Sequence, residues 1–323
     1  DRPDYIPMSF HINRSCWDHY PVDALKELIG RHEFLFPTVD QDADPTFADP
    51  SSVPYSPNAI KGEPYKDPWG CVWETALSGI TGSVHGHPLE NWDSLASYRP
   101  PDPAFTNGRF PVNWEDIQSS VQRSRQSGRL VHLGLPHGHT FLLLLDIRGY
   151  ENLLFDMTDG LKELDKLISI IAEFNISIIE RQLAMKPDIM GYAEDLGMQI
   201  GPMLSPEHFR KYIKPVYQSL MKPARDQGTI VHMHSDGDIR LLVDDLVEGG
   251  VEVINLQDLV NGIDWIADRF AGKVCVDLDI DRQEITARGT PEQIDALIRE
   301  EVEKIGSRDG GLMMVYGLYP GVP

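Results

Sequence analysis

Asp188–Asp195 (DIMGYAED) and Thr229–Asp236 (TIVHMHSD) are the two stretches on which the fold turns. Each is short, carries apolar residues at alternate positions and ends in carboxylates or imidazoles, the pattern of a strand whose two faces differ. Between them Ser205-Pro206 opens a segment of helical spacing that runs to Ala224, with Ser205 as N-cap and Pro206 at the first helical position. Strand, helix and strand in that order require parallel pairing, because only a crossover returns the chain to the same end of a sheet.

The same reading extends outward. Towards the N-terminus lie Tyr5–Asn13 (YIPMSFHIN), His32–Phe36 (HEFLF) and Arg129–Leu135 (RLVHLGL). Towards the C-terminus lie Glu252–Asp258 (EVINLQD), Val274–Ile280 (VCVDLDI) and Gly311–Gly317 (GLMMVYG). Helical spacing falls between most of them, over Val22–Gly30, Trp114–Ser127, Asp159–Met185, Ile239–Glu248, Ile263–Phe270 and Thr290–Ile305. Eight strands alternating with helices are what a closed ring requires, so the expected fold is α/β, a (β/α)8 TIM barrel forming one domain over residues 1–323. An open doubly wound sheet is the rival; against it, no GxGxxG or Walker-type loop follows the first strand.

The apolar run Phe141–Leu145 reads as a strand or a short core segment. Residues 37–110, rich in Pro, Asp, Gly and Trp, break the alternation and read as a long insertion after the second strand. They leave the strand end at which barrel active sites form, so they are either a lid or a surface elaboration. No helical segment follows the eighth strand, and a C-terminal helix is expected beyond Pro323.

Composition bounds the function. A formal net charge of -21 disfavours nucleic acid and anionic membrane as partners, since both would be repelled. No apolar run is long enough to span a bilayer. Cys16, Cys71 and Cys275 are sparse and odd in number, which fits a reducing cytoplasm better than a disulfide framework.

The chemistry concentrates at the expected strand ends. In Val231–Asp238 the side chains of His232, His234 and Asp236 share one face by strand alternation. Turned towards the ring they form a ligand set for a borderline metal such as zinc; the bland alternative is a hydrogen-bonded strand end before a Ser-Asp-Gly-Asp turn. The fourth strand ends in Glu194 and Asp195, one to complete a metal site and the other to orient a histidine or move a proton. Gln257 and Asp258 end the sixth strand. Asp277, Asp279 and Asp281 follow on the seventh, where capping of backbone N–H groups is the simpler role. Tyr316 lies where the eighth strand meets a turn-rich close, and His11, His132, His137 and His139 are held in reserve as substrate contacts.

The stretch Pro187–Asp238, with Leu204-Ser205-Pro206-Glu207 and Lys214-Pro215 inside it, resembles the uroporphyrinogen decarboxylase superfamily, and within it the methyltransferases that act with corrinoid proteins. Arg148–Leu153, Trp69-Gly70, His87-Pro88-Leu89 and the Tyr316–Pro323 close carry the resemblance further. It implies a (β/α)8 barrel and a methyl transfer, including O-demethylation, between a small methylated compound and a corrinoid protein, the cobalamin riding on that separate partner. Where the branch using coenzyme M holds zinc by His-x-Cys-Gly and a later Cys, this chain has His234, Asp236 and, approximately, Tyr316. The aryl-ether branch uses Glu and His ligands at a spacing that Glu194, Glu207 and His234 do not reproduce. The expected ligands are therefore His234, Asp236 and Glu194, with His232, Asp195 and Tyr316 as catalytic candidates. A homodimer is compatible with this reading. A tetrapyrrole-type decarboxylase is the alternative; the Arg-rich opening of true uroporphyrinogen decarboxylases is missing from Tyr5–Arg14.

Overall fold

The alternation of strand and helix is present in the computed structural model, which describes residues 3–36 and 53–322. Strands occur as β1 (Met8–Ile12), β2 (Tyr65–Lys66), β3 (Val72–Glu74), β4 (Ser83–Gly86), β5 (His132–Gly134), β6 (Ile189–Asp195), β7 (Ile230–Asp236), β8 (Val253–Gln257), β9 (Cys275–Asp279) and β10 (Leu312–Leu318). The described residues form two compact units. One holds the described residues up to Tyr65, Trp73–Ser83 and those from Gln257 on; the other holds Lys66–Val72 and Val84–Leu256.

In the first unit β1, β10 and β9 pair in parallel, with Met8 opposite Met314 and Leu312 opposite Val276. Helix Val22–Arg31 buries Leu25 and Ile29, and helix Pro291–Ile305 buries Leu297 and Ile305. The latter begins in a capping box: the Thr290 hydroxyl accepts from the Gln293 backbone while the Gln293 side chain accepts from the Thr290 N–H. Asp281 caps helix Ile285–Arg288 by accepting from the N–H groups of Glu284 and Ile285, the modest role foreseen for the acids after the seventh expected strand.

In the second unit β5, β6, β7 and β8 pair in parallel. Alternation decides which side chains each face receives. Met190 and Tyr192 of β6, Val231 and Met233 of β7, and Ile254 and Leu256 of β8 are fully buried. The Tyr192 hydroxyl donates to the carbonyl of Leu220 in helix Lys214–Asp226, which identifies this as the helix-covered face. The opposite face carries His132 and Gly134, Gly191, Ala193 and Asp195, His232, His234 and Asp236, and Asn255, in register from strand to strand. One sheet face is thus an apolar core and the other a polar, partly open surface.

Several expectations are corrected. His32–Phe36 is not a strand: Glu33–Leu35 is a 3-10 turn continuing from the helix Val22–Arg31. Leu35 N–H bonds to the His32 carbonyl and Phe36 N–H to that of Glu33, the local pattern of a turn and not of a strand ladder. Seven parallel strands, and not eight, occur among the described residues. Of the two readings of Phe141–Leu145, strand or short core segment, the second holds: the run opens helix Phe141–Arg148, which is buried nearly all round. The expected helix Asp159–Met185 is Lys162–Leu183, preceded by a separate helix Tyr150–Asp159 that ends at Gly160 in the left-handed conformation.

Residues 37–52 of the expected insertion lie outside the described residues. Its part in the second unit is firmly packed, with Trp69 and Leu89 buried. Arg109 reaches Asp146 at 2.9 Å and Asp67 at 3.5 Å, and Arg148 pairs with Asp156 at 2.7 Å while donating to the Leu89 carbonyl. No described helix is long and apolar enough to cross a membrane.

Candidate functional site

The open face of the second unit gathers its titratable groups at the C-terminal ends of β6 and β7. Asp195, last on β6, stands opposite Asp236, last on β7, and His234 is opposite Ala193, whose small side chain leaves the imidazole room. His137 joins from the loop after β5. Its Nε2 lies 3.0 Å from Asp195 Oδ1, and His234 Nε2 lies 3.6 Å from the same oxygen. Asp236 Oδ1 is also 3.6 Å from His234 Nε2. Donor atoms of His137, Asp195 and His234 all fall within 4.8 Å of one another. Asn255 on β8 takes the other side of the ring, its Oδ1 accepting from His234 Nδ1. That bond fixes the tautomer and leaves Nε2 facing the carboxylates.

The electrostatics reflect this crowding. Burial alone would lower the His234 pKa, but its hydrogen bond to Asp195, the charge of Asp236 and the bond to Asn255 outweigh it and raise the value to about 9. Burial would raise Asp195; hydrogen bonds from His137 and His234, and their charges, hold it well below the usual carboxylate range instead. A proton on His234 balances the neighbouring carboxylates, a role that a metal ion would take over.

The rim is rigid. The loops after β6 and β7 bond to each other, Gly197 N–H to the Asp236 carbonyl at 3.1 Å and Asp238 N–H to that of Met198 at 2.7 Å. Gly197 and Gly237 meet backbone to backbone, and a Cβ on Gly197 would stand 2.5 Å from the Asp238 nitrogen. Such pre-set geometry is what a ligand set needs.

Of the residues expected from sequence, His234, Asp236 and Asp195 come together here and His232 lies one inward position further down β7. Glu194 does not join them. It points to the helix-covered face, fully buried, and accepts from the N–H groups of Thr140, Phe141 and Leu142 at the start of helix Phe141–Arg148. Burial lifts its pKa to about 7 against the lowering effect of those bonds. It is a helix-capping carboxylate with its oxygens already engaged. Tyr316 belongs to the first unit, where its ring packs at 5.1 Å from Phe10; burial raises its pKa, partly offset by a hydrogen bond with Thr286 and the charge of Arg282. Asp258, in the same unit, is buried beside Glu301. Sequence reasoning gave His137 only a reserve role and passed over Asn255. Asn255 shares parity with Gln257, but its position beside His234 depends on a register that periodicity does not reveal.

Beside this cluster is a cavity of about 580 Å³, lined wholly by the second unit. Trp114, Ile117 and Val121 of helix Trp114–Gln126 line it, together with Ala193, His232 and His234 of the sheet.

Residues 75–323, more than half of the chain, match the family model described as uroporphyrinogen decarboxylase (URO-D). The chain belongs to the uroporphyrinogen decarboxylase family. This URO-D region contains the whole cluster and the cavity beside it. Among solved structures, a methyltransferase from Methanosarcina mazei shares the fold, with TM-score 0.59 and 18% identity over 79% of this chain and 72% of that one. A B12-independent methionine synthase from Shewanella sp. W3-18-1 reaches TM-score 0.42 at 12% identity, covering 64% of this chain and 60% of its own. Comparison with curated proteins gave no match.

Proposed function

We propose that the protein is a methyltransferase that moves a methyl group between a small methylated compound and a corrinoid protein, assisted by zinc held by His137, Asp195 and His234. The observation that carries the reading is the convergence of those three donors within 4.8 Å at the ends of adjacent strands. Two imidazoles and a carboxylate match the pattern of catalytic zinc sites, in which protein ligands leave one position open. Bound there, zinc would supply Lewis-acid polarisation of an ether, hydroxyl or thiol group. The remaining work falls to the chain's own side chains. Asn255 holds the His234 ring in the tautomer whose Nε2 is available, and Asp236, with Oδ1 3.6 Å from that nitrogen, is close enough to join the ligand set. The corrinoid would be brought by a separate protein. The scaffold is proposed to be a (β/α)8 barrel working in the cytoplasm. The fold shared with a Methanosarcina methyltransferase supports the reading.

The family description favours a decarboxylase as the second reading. A substrate with several carboxylates calls for cationic side chains, and no Lys or Arg lines the cavity among the described residues. Zinc titration of metal-free protein, followed by calorimetry, tests the primary proposal. About one ion per chain is expected in the wild type, with binding lost in His234→Ala. A wild-type protein that takes up no zinc, yet releases carbon dioxide from a polycarboxylate porphyrinogen, favours the decarboxylase.

A further inference from the structure

His137 differs from the other two donors of the cluster: it comes from a loop, and its side chain is half-exposed. Its Nε2 reaches Asp195 at 3.0 Å, and its ring centroid lies 5.8 Å from that of His234. An exposed ring on a loop must give up both rotamer and backbone freedom to hold a ligand position, unless its backbone is already fixed.

The fixing is found one residue on. Gly138 N–H donates to the Ala193 carbonyl of β6 at 2.8 Å, and the Gly138 carbonyl accepts from Arg109 Nη2 at 3.1 Å. The same Nη2 donates to Asp146 at 2.9 Å, and Arg109 Nη1 lies 3.5 Å from Asp67. A guanidinium is a rigid planar fork, so carboxylates that hold it also aim its donors. Gly138 has φ of 73°, and a Cβ there would stand 2.9 Å from Arg109 Nη2 and 3.0 Å from the Leu142 Cβ. The bare turn therefore lets the guanidinium approach. On its far side the Asn175 side chain donates to the His139 carbonyl at 2.7 Å, which holds the next peptide as well.

Arg109 falls in the 37–110 stretch that sequence reads as either a lid or a surface elaboration. We propose a third role for this part of it, a clamp on the ligand loop: Arg109 is a positioning residue that sets the backbone of Gly138 and thereby the place of His137 beside Asp195. The assignment deepens the metal-assisted reading above and rests on it. It is separable from the contribution of Arg109 to stability, because the bond to the Gly138 carbonyl can be lost while Asp67 and Asp146 keep a cation between them.

Arg109→Lys makes that separation, since an ammonium retains the charge but lacks the fork that also reaches the carbonyl. Gly138→Ala attacks the same contact from the other side. Asp67→Asn is the comparison: it weakens the ion pairs and leaves the Gly138 bond in place. In metal-free protein with labelled histidines, a nuclear Overhauser effect between the His137 and His234 rings reports the position of His137 without any metal. The wild type and Asp67→Asn are expected to show it, and Arg109→Lys and Gly138→Ala to lose it. Zinc affinity, read by competition with a chelator, is expected to fall about 10–100-fold in the latter two and to stay near the wild-type value in Asp67→Asn, whatever its urea midpoint. A wild type without the effect, Arg109→Lys and Gly138→Ala proteins that keep it, or an Asp67→Asn protein that loses it equally overturns the clamp. A wild type that shows the effect but takes up no zinc overturns the metal reading and supports the placing of His137 alone.

Discussion

Glu194 and Asp195 are neighbours with the same chemistry and opposite roles, and strand alternation makes the difference. Asp195 falls on the open face with His234, whereas Glu194 falls on the covered face and caps a helix. Replacing Glu194 with Ala leaves N–H groups of the buried helix start unmatched, at a cost of about 1–3 kcal/mol. The urea midpoint should fall accordingly while zinc affinity stays near that of the wild type. A large loss of zinc affinity without loss of stability would return Glu194 to the ligand set. Asn255→Ala has the converse signature, because it releases the His234 ring without removing a ligand. Zinc affinity should drop about 10–100-fold, read by competition with a chelator, with little change in the urea midpoint.

At the scale of elements, the first unit contains a buried pair of acids. Burial, the hydrogen bond with Asp258 and the charges of Asp258, Glu300 and Asp281 push the Glu301 pKa up to about 10, and burial also raises that of Asp258. Glu301 thus keeps its proton in the folded chain at neutral pH and loses it when unfolded. A raised folded-state pKa gives stability that is complete below the ordinary value of 4.5 and declines as pH rises towards 10. Glu301→Gln, which cannot ionise, should flatten that decline, and thermal melts between those limits will show it as a smaller loss of Tm towards alkaline pH. An unchanged slope would mean the two carboxyls do not share a proton.

The elements also show what could be read in advance. The alternation in Thr229–Asp236 placed His232, His234 and Asp236 on one face, and the structure has them there. His32–Phe36 misled because five residues with apolar character suit either a strand end or a turn, and the preceding helix settled the matter by continuing into it. Phe141–Leu145 left strand and core segment both open for a related reason: five consecutive apolar residues have no polar stripe to mark a period. The ligand partners were least legible. His137 comes from a loop and Asn255 from a strand whose register with β7 is set by packing, so neither association has a signature along the chain.

On the scale of the molecule, the acidic chain gathers two of its eleven histidines, His137 and His234, with Asp195 and Asp236 at one sheet end, and its second unit also contains buried ion pairs. Arg109, between Asp67 and Asp146, ties the Lys66–Val72 segment to the body of its unit. Arg109→Met leaves both carboxylates buried without their cation and should cost about 3–5 kcal/mol in urea unfolding. A loss below ~1 kcal/mol would show that the segment is held by apolar packing alone.

The central claim is that one metal ion is held between β6, β7 and the loop after β5. Anomalous scattering at the zinc absorption edge from zinc-loaded crystals tests it directly. The account predicts a single strong peak about 2.0–2.2 Å from His137, Asp195 and His234, with no sulfur ligand. A peak bound by other residues, or no ordered zinc at these three side chains, would contradict it.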